Sequence, residues 1–183
     1  MRPGKFELSS PLVFPFTQQD HAAVFTLRHA TRDDIPAICD FSPDPMELFR
    51  FFPQAHHPLT PEQMVEGPFR HRSDQTLLLW DDQPTGYADI YDLQPGKECF
   101  IGHVIVDRTC RGRGAGRFLV EGMIRIARER HQVPLIRLSC FSDNTPALLL
   151  YHELGFRPQG MEVRLAPQGS RLVMLHLERQ FSV

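Results

Sequence analysis

The stretch "DRTCRGRGAGRFLV", residues 107–120, holds three glycines and four arginines within fourteen positions and runs directly into an apolar helical pattern. A glycine loop entering a helix presents free backbone N–H groups and the positive end of the helix dipole, and both attract phosphate. Glycine also lets the backbone approach a ligand closely and adopt conformations closed to other residues. Arg111, Arg113 and Arg117 add charge and forked donors. The same composition would also describe a basic strand–helix turn with a solvated face. Two phosphate loops are excluded by register. A dinucleotide fingerprint needs a third glycine where Arg117 or Leu119 stands, and no G-x-x-x-x-G-K-[ST] run is present.

The surrounding chain has 183 residues and is 42% hydrophobic, which fits one domain with a sizeable core. Its formal charge of −2 gives no global basic field for nucleic acid. Cysteines 39, 99, 110 and 140 form no C-x-x-C pair, and no histidine stands at zinc spacing from them. They read as reduced thiols of a cytoplasmic protein, with no metal site. "MRPGKFELSSPLVFPF" has no apolar signal core, and no run approaches the length of a membrane span.

Working outward from the loop, residues 1–23 read as an N-terminal extension interrupted by prolines, and residues 24–183 as a single domain. "VFTLRHA" is a strand, and Thr31 with Asp34 spaces a capping box for a helix over 32–40. "SPDPMELFRFFPQAHHPLTPEQM" holds a short helix, a loop and a second helix starting near Thr60. Three strands joined by tight turns at 81–86 and 94–97 lead into the loop. Leu119, Val120, Met123, Ile124, Ile126 and Ala127 follow helical spacing, and "PLIRLSCF" is a further strand. "DNTPALLLYHELGF" is a short helix, with Thr145 as cap, Pro146 at the first helical position and Gly155 as left-handed stop. A hairpin turning at 167–169 closes the chain. The fold class is therefore α/β (α+β): a mixed, mostly antiparallel sheet with one parallel strand–helix–strand crossover over 99–141 and flanking helices.

Arg111-Gly112-Arg113-Gly114-Ala115-Gly116 resembles the Q/R-x-x-G-x-G/A motif of the GCN5-related N-acetyltransferase superfamily, and "NTPALLLYHELGF" resembles that family's N-x-x-A-x-x-L-Y-x-x-x-G-F stretch. Asn144, Ala147, Leu150, Tyr151, Gly155 and Phe156 fall in register, and the resemblance spans about residues 25–183. Asp107-Arg108 departs from the residue–proline pair common at that point. The resemblance implies acetyl-CoA as donor. It places the pantetheine arm along the backbone of Val104, Ile105 and Val106, the pyrophosphate on the N–H groups from Arg111 to Gly116, and Asn144 beside the pantetheine or the nearby backbone.

Acetyl transfer to an amine requires that the amine lose its proton, that the oxyanion be stabilised and that the leaving thiolate be protonated. The resemblance implies Tyr151 as the acid; on the helix alone it would read as a core residue. His103, on the central strand, is the first candidate for the base, followed by Glu98 and Asp89, and a water relay would need none of them. N–H groups at a strand bulge near Val104 to Val106 would serve the oxyanion. For the acceptor, Phe49, Phe51 and Phe52 offer an apolar slot, Glu47 a partner for a cationic amine, and Tyr87 and Tyr91 a border; the aromatics would equally serve as helix core. Cys140 reads as a small buried hydrophobe.

The expected activity is acetyl transfer from acetyl-CoA to a primary amine of a small molecule, or of a peptide lysine or N-terminus, by a monomer or homodimer that needs neither nucleic acid nor membrane. The alternative is a catalytically silent acyl-CoA-binding or sensing module, which has no use for a proton donor at sulfur. DNA binding through Arg108, Arg111, Arg113, Arg117, Arg125 and Arg128 is disfavoured because Glu121 and Glu129 interleave them.

Overall fold

The computed structural model describes residues 12–13 and 24–182. They form an eight-stranded sheet in the order β1-β2-β3-β4-β5-β6-β8-β7. The strands are β1 (Leu12–Val13), β2 (Phe25–His29), β3 (Ser73–Trp80), β4 (Gln83–Gln94), β5 (Glu98–Val106), β6 (Leu135–Phe141), β7 (Arg157–Leu165) and β8 (Arg171–Gln180). All neighbours are antiparallel except β5 and β6. The mixed sheet and its single parallel crossover are those expected from the sequence. Of the N-terminal extension, Leu12 and Val13 pair with β2 as an edge strand; the remainder of residues 1–23 lies outside the described residues.

The sheet is covered on both faces, so its central strands read as continuous apolar runs. Side chains alternate between faces with the period of two that a strand imposes. Leu77 and Leu79 join one core cluster and Leu78 the other. The first face is covered by four short helices: α1 (Ile35–Asp40), α2 (Pro45–Phe51), α3 (Pro61–Glu66) and α4 (Pro68–His71). The second is covered by α5 (Ala115–Arg125) and α6 (Thr145–Glu153). The proline-rich segment makes helices because Pro45, Pro61 and Pro68 each stand in a first turn, where the missing N–H costs nothing. Asp44 caps α2 by accepting from the Glu47 N–H at 2.8 Å, and Thr60 caps α3 by accepting from Gln63 at 3.4 Å.

Several boundaries differ from the sequence reading. The first helix begins as a 3-10 turn over Arg32–Asp34, with Asp34 reaching back to the Thr31 N–H at 2.8 Å. Helix α4 was not anticipated, because four residues carry no periodicity. The turn before β4 is only Asp81-Asp82, both with positive φ, which suits the twist of a two-residue hairpin. Helix α5 ends in a π turn over Ile126–Arg130. The cap of α6 is Asn144 rather than Thr145, so Pro146 falls one place later than expected. Gly155, at φ +85°, makes the left-handed stop. Among the described residues no helix is long and apolar enough to cross a membrane.

Two departures from a regular sheet create the site. Strands β5 and β6 pair only from Glu98↔Leu135 to Phe100↔Arg137, although β5 continues to Val106 and β6 to Phe141. Beyond Phe100 the strands part, and the groups of β5 that face β6 lose their ladder. On its other edge, β5 bulges against β4: the register shifts by one between Tyr87↔Ile105 and Asp89↔Gly102.

Candidate active site

The bulge falls on His103, whose φ of +47° is unusual for a residue with a side chain. Its imidazole lies on the face of α1–α4, edge-on to Phe51 at 5.6 Å and to Phe52 at 4.8 Å between ring centroids. Nδ1 is 2.6 Å from Oδ2 of Asp89, a residue with no exposed surface. An ionised carboxylate can only accept, so it selects the tautomer with the proton on Nδ1, and in the neutral ring Nε2 is then the nitrogen with the lone pair. The Tyr87 hydroxyl donates to the same oxygen at 3.3 Å, and Arg72 stands 3.8 Å from the other.

Tyr151 approaches from the opposite face, on α6. Burial pushes its phenol well above the ordinary range, so it stays protonated at any working pH. It packs edge-on against Phe156 at 6.1 Å. The gap between β5 and β6 is what lets a group on each sheet face reach one volume. A cavity of about 300 Å³ runs through it, lined by His103 and Val104 of β5, Leu138 to Phe141 of β6, Asn144, Tyr151, Phe51, Gln54, Tyr91 and three arginines, Arg50, Arg72 and Arg164. Burial raises the Cys140 thiol in its wall to about 12, which leaves it inert as a nucleophile.

The glycine loop lies at the N-terminus of α5, outside the cavity wall. Gly112 (φ +74°) and Gly114 (φ +87°) hold left-handed backbone, and a Cβ on either would meet nothing within 4 Å. The chain there faces open space, as a site that admits a ligand's phosphates must. Gly116 closes the loop against β5 and α6, where its Cβ would sit 3.9 Å from Val106 and 3.6 Å from Leu150. Asp107, just before the position where proline is absent, starts the loop by accepting from the Thr109 N–H at 2.8 Å.

The loop arginines are held by neighbours. Arg111 donates to the Val106 carbonyl at 2.9 Å and to Glu47 at 2.6 Å, Arg108 to Asp44 and Glu47, and Arg117 to Glu153. Arg113 lies over Trp80 at 4.8 Å. A basic surface free to track nucleic acid is therefore not what these side chains form.

The structure gathers His103, Val104, Asn144, Tyr151 and Phe51 around the cavity and leaves other sequence candidates outside its lining. Glu47 is spent on Arg108 and Arg111 and does not face the cavity, so it is not available to an amine. Phe49 packs on Phe141 at 5.0 Å, in a small cluster of its own. Tyr87 is fully buried behind Asp89. Ile105 turns its side chain into the core under α1–α4, and Val106 turns its own under α5. Phe52 supports the His103 ring from behind. Asn144 spends Oδ1 on the Ala147 N–H at 3.4 Å, the nearby-backbone role. Asp89, weighed as a base in its own right, is instead the group behind His103. Arg50, Arg72, Gln54 and Arg164 were missed, because nothing in their local sequence marks them as converging on one point.

Comparison with known proteins gives the family and the fold. Residues 41–156 match the model of the acetyltransferase (GNAT) family. A putative phosphinothricin acetyltransferase, YwnH, of Bacillus subtilis is 26% identical, covering 86% of this chain and 99% of that protein. The L-amino acid N-acetyltransferase AaaT of Escherichia coli is 26% identical over 80% of this chain and 91% of its own length. Mycothiol acetyltransferase of Brachybacterium faecium is 33% identical over 57% of this chain, but the match spans only 32% of that longer protein. The structure of yncA from Salmonella typhimurium with its cofactor acetyl-CoA shares the fold, with a TM-score of 0.68, 19% identity and coverage of 86% of this chain and 94% of that one.

Proposed function

Since the chain belongs to the GNAT acetyltransferase family, we propose that it transfers an acetyl group directly from acetyl-CoA to a primary amine of a small molecule, or of a peptide lysine or N-terminus. The observation that carries this reading is the parted strand pair: His103 and Tyr151, on opposite faces of the sheet, both line the cavity that opens between β5 and β6.

Acetyl-CoA supplies an electrophilic thioester carbon. The residues present suit it: β5 beyond Phe100 has backbone groups without a strand partner on the β6 side, and the glycine loop faces open space at a helix N-terminus. Val104 to Val106 would hold the pantetheine arm as a strand holds its neighbour, and the N–H groups of Arg111 to Gly116 the pyrophosphate. Asn144 fixes the start of α6 and so the position of Tyr151. His103 Nε2 takes the proton from the attacking amine, and Asp89 stabilises the imidazolium that forms. Backbone N–H groups at the His103–Val104 bulge donate to the acetyl oxygen as it gains charge. The Tyr151 hydroxyl donates its proton to the departing sulfur. Phe51 and Phe52 exclude water from the His103 face. The four free thiols support a reducing, cytoplasmic setting.

The experiment is acetyl-CoA binding by calorimetry, together with CoA release against a panel of amines. Binding in the micromolar range and turnover on one amine class are expected. Tight binding without turnover on any amine would instead indicate the silent acyl-CoA module. Absence of binding would overturn the reading.

A further inference from the structure

We infer that the acceptor amine carries a carboxylate, and that Arg72 is the side chain that holds it. This rests on the acetyltransferase reading above and specifies its substrate.

The cavity lining contains three arginines and, among the described residues, neither aspartate nor glutamate. Two of the three cations spend their donors on carboxylates at hydrogen-bond distance. Arg50 grips Asp143 through two hydrogen bonds of 2.7 and 3.3 Å, and Arg164 grips Glu162 at 2.8 and 3.0 Å. Arg72 is different. Its Nη1 is buried with no hydrogen-bond partner among the described residues, and its nearest carboxylate oxygen, Oδ1 of Asp89, is 3.8 Å away and equally unpartnered. A buried guanidinium N–H left unspent is costly, and a ligand oxyanion would relieve that cost.

Arg72 is also fixed before any ligand arrives. Its guanidinium carbon lies 3.9 Å from the centre of the Tyr91 ring. Gly102 makes the seat, since a Cβ there would fall 2.8 Å from Tyr91 Cε1 and 3.1 Å from Arg72 Nη1. A planar, stacked fork suits bidentate capture of a carboxylate and has little rotamer entropy left to lose. Asp89 contacts both Arg72 and His103. Anion anchor and proton acceptor are therefore tied to one carboxylate, within the span of a single small molecule. An α-amino acid offers a carboxylate and an amine two bonds apart along such a span. A polyamine would meet three cations and no free anion.

The test compares L-α-amino acids with the amines lacking their carboxylate: L-phenylalanine with phenethylamine, L-leucine with isoamylamine, and L-methionine with 3-(methylthio)propylamine. Ethanolamine with O-phosphoethanolamine adds a phosphate arm. Wild-type protein, Arg72→Gln and Arg72→Lys are assayed, with acetyl-CoA binding and thermal melting recorded for each. Wild type should favour the carboxylated member of at least one pair by about 100-fold in kcat/KM, in line with a site that hydrogen-bonds its substrate. Arg72→Gln should erase that preference, mainly through KM, and change the amine's kcat/KM by only a few-fold. Arg72→Lys should retain part of the preference. Equal wild-type use of both members, preference for the phosphate arm, or an equal loss on both members in Arg72→Gln would overturn the inference. The last result would make Arg72 a support for Asp89 and His103 alone. Because wild type is compared with itself, the inference survives a variant that fails to fold. Turnover on carboxylate-free amines as efficient as on their carboxylated partners, with acetyl-CoA bound, would refute this inference alone. Failure to bind acetyl-CoA would refute the underlying reading as well.

Discussion

His103 Nδ1 lies 2.6 Å from Asp89 Oδ2, and the contact exists because a bulge in β5 turns His103 into left-handed backbone. Without the extra residue, position 103 would not present its ring to the floor of the cavity. Such a conformation costs about 1–3 kcal/mol and persists only where its surroundings enforce it. Here Asp89, Phe51 and Phe52 enclose the ring on three sides. His103→Ala is expected to lower kcat by about 100-fold or more while leaving acetyl-CoA binding intact. The rate of the variant should climb with pH as a growing share of the amine arrives unprotonated. Steady-state kinetics between pH 6 and about pH 9 checks both points.

Asp89 is fully buried and contacts His103, Tyr87 and Arg72. Removing its charge takes away the carboxylate paired with the partly buried Arg72 and frees the tautomer of His103. Asp89→Asn should therefore destabilise the fold by about 3–5 kcal/mol, as breaking one side of a buried ion pair does. Urea unfolding measures this directly. A loss below about 1 kcal/mol would contradict the description of the cluster.

The glycine loop makes a separate prediction. Gly114→Ala forces a side chain into φ +87°, at about 1–2 kcal/mol. It also adds a methyl group facing the open space where the phosphates would approach. The KM for acetyl-CoA should rise about tenfold or more, with the amine KM little changed. Arg111→Ala should have a smaller effect on that KM, because the Arg111 side chain is engaged by Val106 and Glu47.

Two paired carboxylates make part of the protein's stability pH-dependent in the acid range. Asp34 is held below the usual carboxylate range first by its hydrogen bond from Arg28, and Asp143 by that from Arg50. A lowered folded pKa means that the stabilisation is present above the unfolded value, about 4, and is lost as pH falls through the folded value. Arg28→Ala should thus move the midpoint of acid unfolding to higher pH and reduce stability at neutral pH, with the difference vanishing once pH has fallen below the folded value. Arg28 and Arg50 are partly exposed, so each pair should contribute no more than about 1 kcal/mol.

Cys140 lines the cavity, yet its thiol is raised to about 12 by burial. Direct transfer needs no acyl-cysteine. Cys140→Ala should keep kcat within a few-fold, and kinetics should show intersecting rather than parallel lines when both substrates are varied.

Much of this was readable in the chain because it depends on local signals. Period-two and period-3.6 patterns, the Thr31–Asp34 box, Gly155 as helix stop and the loop glycines act within a few residues of themselves. The resemblance of residues 111–116 and 144–156 then fixed the expected place of Tyr151. What sequence could not supply was convergence. Arg72 precedes β3, Tyr91 stands on β4 and Arg164 on β7, and only the parted sheet brings them to one volume. Glu47 shows the converse. Its place beside the aromatics in the sequence suits an amine, but the folded loop delivers two guanidiniums to it first. The cap of α6 went to Asn144 instead of Thr145 because either side chain can accept from the first turn, and the φ/ψ of the chain decides between them.

The central claim is that Tyr151 and His103 act on one reaction from opposite sides of the sheet. Tyr151→Phe tests it most directly, since the substitution removes one oxygen and conserves the packing on Phe156. With an acceptor in hand, kcat and acetyl-CoA affinity are measured side by side for wild type and variant, from pH 6 to about pH 10. The predicted result is a fall in kcat of about 100-fold or more with unchanged acetyl-CoA affinity. In wild type, no loss of rate should be traceable to Tyr151 over this range, because its phenol is raised well above ordinary values and remains protonated. A variant that turns over at the wild-type rate would contradict the claim and return Tyr151 to the core of α6.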